Sequence, residues 1–273
     1  MRETVMARGE GGGGPAESEP VSCATAQDVD FEYETGVQAL KGLTVEIPAG
    51  QVTAVIGPSG CGKSTLLRLI AGLASPTAGL LTVPVRDAPV PVPISMVFQS
   101  DTLLPWMTVA QNVGLAFKLG RRGRRPKRDP SRIGTLLEMV GLSDFRDAFP
   151  YQLSGGMRRR VAFLCAVAPS PRLLLLDEPF SSLDEPTRVG IHQDVLRIVR
   201  EHSMSVALVT HDLAEAITLS DRVVILSARP AHVVTVRDVP FGEDRNVFEL
   251  RQHPDYLQLY GELWNDLSKE IKR

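Results

Sequence analysis

The stretch from Val52 to Thr65 constrains this chain more than any other. Val52-Thr-Ala-Val-Ile56 is a short, nearly continuous β-branched run, the pattern of a parallel strand buried on both faces. Gly57-Pro-Ser-Gly-Cys-Gly62 follows directly. From Lys63 to Leu73 the apolar residues Leu66, Leu67, Leu69 and Ile70 recur on a helical period. Strand, glycine loop and helix in this order satisfy G-x-x-x-x-G-K-[ST] in its required context. Such glycines let consecutive backbone N–H groups turn inward as an anion nest, and the helix N-terminus adds its dipole at the same point. The predicted anion is a polyphosphate, cradled by Gly57, Pro58, Ser59, Gly60, Cys61, Gly62, Lys63, Ser64 and Thr65. In this reading Lys63 reaches the outer two phosphates and the Ser64 hydroxyl ligates the Mg²⁺ that bridges them. A glycine turn beside a surface lysine is the plain alternative, and the strand and helix on either side argue against it.

The rest of the chain reads as the surroundings of that unit. Leu43 to Ile47 alternates as a strand before a turn at Pro48-Ala-Gly50, and Ile94 to Phe98 and Leu173 to Asp177 read as further buried strands. Strands at 205–209 and 222–227 alternate with helices at 186–201 and 213–219, which predicts a parallel, doubly wound sheet. Between about 101 and 168 the pattern is helical, with helices expected at 108–119, 131–141 and 155–168, so a helical subdomain is inserted into an α/β core. Four prolines between 84 and 93 mark a turn or an edge segment. A tail helix at 255–271 puts Tyr256, Tyr260, Leu263, Trp264, Leu267 and Ile271 on one face, expected to pack on the core. Residues 1–22, with the run Gly11 to Gly14, are expected to be a disordered tail.

Composition excludes several classes. At 273 residues, 43% hydrophobic and 23% charged, the chain is neither disordered nor a coiled coil. Thirty Lys and Arg against 32 Asp and Glu leave a net charge of −2, so no global basic field holds nucleic acid. Any bound anion is held locally. No apolar run approaches the ~18 residues that cross a bilayer, and no secretory leader is expected. Cys23, Cys61 and Cys165 are odd in number and form no C-x-x-C pair, against a disulfide framework or a zinc site, so a reducing, cytoplasmic compartment is expected. Cys61 reads as a small residue that fits its loop, although a helix N-terminus lowers a thiol's pKa. Arg121-Arg-Gly-Arg-Arg-Pro-Lys-Arg128 is a solvated loop or a contact with anionic lipid headgroups.

Further candidates stand at strand ends. Asp177 and Glu178 close a leucine-rich strand at the edge where open parallel sheets present their ligands. Asp177 is placed to hold Mg²⁺, and Glu178 to accept a proton from an attacking water. Gln99 follows Ile94 to Phe98, and His211 follows Val206 to Thr210. Each alone reads equally as a hydrogen-bonded structural residue, and their coincidence on one edge favours a shared crevice.

The set Gly57 to Thr65, Gln99, Leu153-Ser-Gly-Gly-Met157, Asp177-Glu178, Ser182-Leu-Asp184 and His211 resembles the ATP-binding cassette (ABC) ATPases, over roughly residues 27–240. The resemblance implies a P-loop NTPase, RecA-like core with a parallel sheet, an antiparallel β-subdomain and a helical subdomain. In that reading 23–240 is the ATPase domain and 241–273 a helical extension. It implies that Ser154, Gly155 and Gly156 contact the γ-phosphate of ATP held by an opposite subunit, so two chains pack head to tail around two ATP molecules. It makes Glu178 the general base, His211 the group holding γ-phosphate and water, and Gln99 a Mg²⁺-touching sensor that reports to a membrane partner. Asp184 becomes a cross-dimer contact and Tyr33 the ring that stacks on adenine, with Phe31, two residues away, able to serve instead. Asp101-Thr-Leu-Leu-Pro-Trp-Met-Thr-Val109, Asn112-Val113, Met157 and Ser227-Ala-Arg-Pro230 are similar to importer ATPases of the nitrate, sulfonate and taurine group. That likeness implies an integral-membrane permease, a solute-binding protein, and a peripheral position on the cytoplasmic face of the membrane. The chain departs from the family at Leu164-Cys165-Ala166, where an arginine is common. The competing expectation is a soluble ABC ATPase acting on nucleic acid or ribosomes. Its usual forms have tandem cassettes or a long coiled coil, and this chain shows one P-loop, one Leu-Ser-Gly-Gly and no heptad run.

Overall fold

The computed structural model describes residues 22–87, 92–100, 102–118, 130–181, 183–242 and 245–271. The expected tail up to residue 21, the basic run 121–128, Asp101 and Ser182 lie outside the described residues. Strand β1 (Ser22–Glu32) pairs antiparallel with β2 (Gln38–Pro48), Ala26 facing Val45 and Val29 facing Leu43. β3 (Val52–Ile56) runs through the glycine loop into α1 (Lys63–Ala71), and β4 (Ala78–Thr82) returns to β1, giving a sheet of order β2-β1-β4. A short 3-10 turn at Pro84–Asp87 leads toward β5 (Ile94–Val97). The helices α2 (Val109–Ala116), α3 (Pro130–Met139) and α4 (Gly155–Val167) follow before β6 (Leu173–Asp177). Then come α5 (Glu185–Glu201), β7 (Ser205–Val209), α6 (Leu213–Leu219), β8 (Arg222–Leu226), β9 (Val233–Asp238), α7 (Val247–Leu250) and α8 (Pro254–Ile271).

The second sheet has the order β5-β6-β7-β3-β8-β9. Its first five strands are parallel, with Ala54 of β3 opposite Leu208 of β7 and Val223 of β8. β3, β6 and β7 are buried at every position, because side chains on both faces are covered. Ala54, Ile56, Leu174, Leu176, Val206 and Leu208 face a core shared with the helical insertion, α5, α6 and α8. Val55, Leu173, Leu175, Ala207 and Val209 face the opposite core, with α1, β1 and β2. Parallel pairing sends the loops after β3, β5, β6 and β7 out of one sheet edge, and these loops carry Lys63, Gln99, Glu178 and His211.

Three expectations are corrected. Ile94 to Phe98 is not a buried strand: β5 ends at Val97, is half-buried through most of its length because it is an edge, and leaves Phe98 exposed. The parallel sheet ends in an antiparallel strand, β9, which is not among the strands expected from the sequence and whose Val234 and Val236 face solvent. The tail stripe divides: Tyr256, Leu263 and Leu267 are buried, joined by Leu259, whereas Tyr260, Trp264 (49% exposed) and Ile271 face solvent. The buried set steps by three and four residues along a narrower arc than the sequence stripe implies.

Candidate functional site

The glycine loop is shaped by backbone that only glycine tolerates. Gly60 and Gly62 have φ of 72° and 128°. A Cβ on Gly62 would also lie 2.8 Å from Leu40 Cδ2 and 3.0 Å from the Ala39 carbonyl, so β2 backs the loop directly. Lys63 is buried, and its Nζ donates to the Gly57 and Pro58 carbonyls, each at 2.9 Å, which curls the ammonium into the loop. The first turn of α1 holds no acidic residue, leaving its dipole to an external anion. Cys61 is buried here, and burial pushes its thiol pKa up; the lowering expected from its place at a helix N-terminus is overturned by desolvation.

At the end of β6 the Ser64 hydroxyl donates to Asp177 Oδ1 at 2.7 Å. Burial raises the Asp177 pKa, and the Ser64 hydrogen bond opposes that shift. Glu178 takes a left-handed backbone, φ 46°, while its N–H still donates to the Val209 carbonyl at 2.9 Å. A non-glycine residue in this region costs on the order of 1 kcal/mol and persists only where its surroundings over-determine it. The turn swings the carboxylate away from the strand. Glu178 Oε2 accepts from Gln99 Nε2 at 3.2 Å and lies 3.2 Å from His211 Nδ1. Lys63, Ser64, Gln99, Asp177, Glu178 and His211 thus converge from four loops of one edge. Among the described residues no three His, Cys, Asp or Glu side chains cluster as a metal site. A hydroxyl, an amide oxygen and one carboxylate are a hard-oxygen donor set that suits Mg²⁺, which is held by few protein ligands together with substrate phosphates.

Tyr33 shares a hydrogen bond at 2.6 Å with Thr65 Oγ1, at the start of α1. Its ring stands edge-on to Phe31 with centroids 4.9 Å apart, and both line a cleft of about 500 Å³ with Thr35, Ser75 and Thr77. Both aromatic candidates therefore face one cleft. Ser154, Gly155, Gly156 and Asp184 are not joined to the catalytic group by any hydrogen bond or ion pair among the described residues. Ser154 caps α4, its Oγ accepting from the Met157 N–H at 3.2 Å. A Cβ on Gly156 would meet Thr187 Cγ2 at 2.5 Å, so α5 packs against that glycine, while the nearest group to a Cβ on Gly155 is Arg158 Nη2 at 4.0 Å. Asp184 precedes α5, and a hydrogen bond from Thr187 holds its carboxyl below the usual range.

Two groups of residues were hidden in the sequence. Buried Arg159 donates to the Phe98 carbonyl at 3.3 Å and to the Gln99 carbonyl, tying α4 to the Gln99 loop. Nothing local in Arg158-Arg-Arg160 sets the buried arginine apart from its two neighbours. Thr210, Asp212 and Arg188 brace the His211 segment: Asp212 N–H donates to Thr210 Oγ1 at 3.0 Å and Arg188 Nη1 to Asp212 Oδ2 at 2.8 Å. A cleft of about 610 Å³ lined by Arg197, Arg200, Arg245 and Phe248 contains none of the predicted site residues.

Strand, phosphate loop and helix, with a carboxylate pair at a neighbouring strand end and a helical insertion, define a P-loop nucleotide-binding α/β protein. The family model described as ABC transporter matches residues 40–181. The chain belongs to that ATP-binding cassette family. It is 42% identical over 244 residues to the nitrate import ATP-binding protein NrtC of Synechococcus elongatus, covering 88% of this chain and 37% of NrtC. It thus spans about a third of the length of that relative. With the taurine import ATP-binding protein TauB of Roseobacter denitrificans it shares 37% identity, covering 88% of this chain and 92% of TauB. Among solved structures, it is similar to the dimeric ATP-binding cassette MJ0796 in a post-hydrolysis state bound to ADP and Pi. That match has a TM-score of 0.68 and 30% identity, over 79% of this chain and 98% of the other. Among the described residues no helix is long and apolar enough to cross a membrane.

Proposed function

We propose that this chain is the ATP-hydrolysing subunit of a membrane importer for a small solute of the nitrate, sulfonate or taurine type, working as a head-to-tail dimer at the cytoplasmic face of the membrane. The observation that carries the proposal is the Glu178 carboxylate held between Gln99 and His211, on the sheet edge that also presents Lys63 and the Ser64–Asp177 pair. Hydrolysis is in-line attack of water on the γ-phosphate, catalysed by positioning and charge stabilisation. Lys63 and the loop N–H groups hold the phosphates, Glu178 takes the proton of the attacking water, and His211 orients that water against the γ-phosphate. Ser64, Gln99 and Asp177 would hold Mg²⁺, which neutralises charge on the phosphate oxygens. Ser154 to Gly156 and Asp184 supply the dimer reading: they stand at two helix starts that, among the described residues, make no hydrogen bond to the Glu178 group of their own chain, and a helix start fits the phosphate of a second one. The dimeric relative MJ0796 supports it.

A permease partner is supported by the helical insertion. Trp106 is 69% exposed at the mouth of a cleft of about 490 Å³ lined also by Thr108, Gln111, Lys118, Arg146 and Asp147. Asn112 fixes that corner, its Oδ1 accepting the Leu104 N–H at 2.8 Å and its Nδ2 donating to Leu104, Met107 and Thr108 carbonyls at 3.0–3.2 Å. An exposed tryptophan beside a cleft is the anatomy of a protein contact. Solute specificity belongs to the permease and its solute-binding protein. The test is to express tagged Glu178→Gln in the native cell, solubilise membranes with ATP and Mg²⁺, and identify what co-purifies. An integral permease is expected; recovery from the soluble fraction with nucleic acid or ribosomes would overturn the import reading and leave the ATP chemistry standing.

A further inference from the structure

We propose that His192 is a positioning residue for hydrolysis: buried on α5 beneath the meeting point of two catalytic loops, it holds the His211 segment through Glu215 and abuts the Glu178 segment through Phe180. The inference rests on the hydrolytic reading above. His192 is 0% exposed, and its Nε2 lies 3.6 Å from Glu215 Oε1 on α6. The other carboxylate oxygen, Glu215 Oε2, accepts from Thr210 Oγ1 at 2.5 Å. Thr210 Oγ1 in turn accepts from the Asp212 N–H at 3.0 Å, so one hydroxyl clamps the backbone on both sides of His211. On its other side the imidazole meets the Phe180 ring edge-on, centroids 5.1 Å apart, two residues beyond Glu178.

The neighbours of His192 on α5, Ile191, Val195 and Leu196, are apolar and buried in one core. In such a layer an imidazole facing a carboxylate is costly unless each satisfies the other. Among the described residues neither ring nitrogen of His192 nor Glu215 Oε1 has a hydrogen-bond partner, and Nε2 and Oε1 face each other at 3.6 Å. Removing the imidazole would leave a buried carboxylate whose escape is to rotate toward water, taking the Thr210 hydroxyl with it. That movement would shift His211, which must stay 3.2 Å from Glu178. A histidine that only filled space would be replaceable by leucine without effect on His211.

The experiment compares full-length wild type with His192→Leu, His192→Gln and Thr210→Val. It records kcat, KM for ATP, thermal midpoint, and the ¹H–¹³C NMR resonance of the His211 Cε1–H, identified by its loss in His211→Gln. His192→Leu is expected to lower kcat about tenfold or more with KM little changed, as for a misplaced catalytic group, and to move the His211 resonance. Gln, whose amide can donate to Glu215 Oε1, restores both, and Thr210→Val reproduces the Leu defect. The proposal is overturned if His192→Leu only lowers the midpoint while kcat and the resonance stay put, or if Gln fails to rescue. Should His192→Leu not fold, an unmoved resonance in Thr210→Val overturns it equally. A wild type without ATPase activity would refute the hydrolytic reading, and the resonance then decides the positioning by itself.

Discussion

Asp177, in the proposed role of a Mg²⁺ residue, shows how such a group burdens the protein that carries it. Burial at the end of β6 raises its pKa, against the pull of the Ser64 hydrogen bond. A carboxyl with a folded pKa above its unfolded value contributes stability below the unfolded value and loses it as pH rises through the folded value. At neutral pH the ionised group therefore opposes folding. Asp177→Asn removes that charge and keeps an acceptor for Ser64. In EDTA without nucleotide its thermal midpoint should exceed that of wild type at pH 7, with the gap closing as pH falls toward the ordinary aspartate range, while Mg²⁺-dependent hydrolysis drops by about a hundredfold or more. A midpoint equal to or below wild type at pH 7 would show that burial of this charge does not destabilise the fold. The sequence made Lys63, Ser64 and Asp177 legible because their chemistry depends on spacing along the chain. It could not show the left-handed turn at Glu178, since nothing in Asp-Glu-Pro demands positive φ there. Nor could it show the raised Cys61 thiol, whose cause is packing by distant strands.

At the scale of elements, α4 carries two requirements on a single hydroxyl. Ser154 caps the helix, and in the proposed dimer it also faces the phosphate bound by the other chain. Two substitutions separate these. Ser154→Ala loses the cap and about 1 kcal/mol of stability. Ser154→Asp keeps a good cap and an acceptor for Met157 but adds negative charge at the helix start. In urea titrations the Asp variant should match wild type and the Ala variant should unfold earlier. In light scattering with ATP, on a Glu178→Gln background, the Asp variant should remain monomeric. An Asp variant that dimerises normally would remove Ser154 from the phosphate contact. The elements themselves were legible in proportion to their burial. β3, β6 and β7, covered on both faces, stand out as apolar runs. β5 and β9 are edges: β5 was found but read as buried, and β9 turns Val234 and Val236 to solvent, so apolar pattern and burial part company there. α8 was found, but its stripe was read too wide, because Trp264 and Ile271 are apolar without being core. The Arg159 link to Gln99 and the His192–Glu215 pair join elements far apart in sequence, and no local pattern encodes them.

Across the whole molecule, the parallel sheet gathers the proposed hydrolytic residues at one edge, while the helical insertion between β5 and β6 displays Trp106. The two are joined through Gln99: its side chain touches Glu178, its carbonyl is held by Arg159 of α4, and its loop leads on toward Trp106. Such an arrangement lets catalysis and partner contact be separated by mutation. Trp106 is 69% exposed and makes no contribution to the buried core, so Trp106→Ala should change stability by no more than about 0.5 kcal/mol. The isolated variant should hydrolyse ATP at the wild-type rate, because none of the groups around Glu178 moves. Its membrane recovery in the presence of ATP should fall at least about tenfold, the loss expected when an aromatic anchor worth 1.4 kcal/mol or more is cut from an interface. Equal recovery of the two proteins would place the permease contact elsewhere on the cassette. A variant losing ATPase activity in solution would instead mean that Trp106 acts back through Gln99 on Glu178, making the cleft part of the catalytic unit rather than its partner surface.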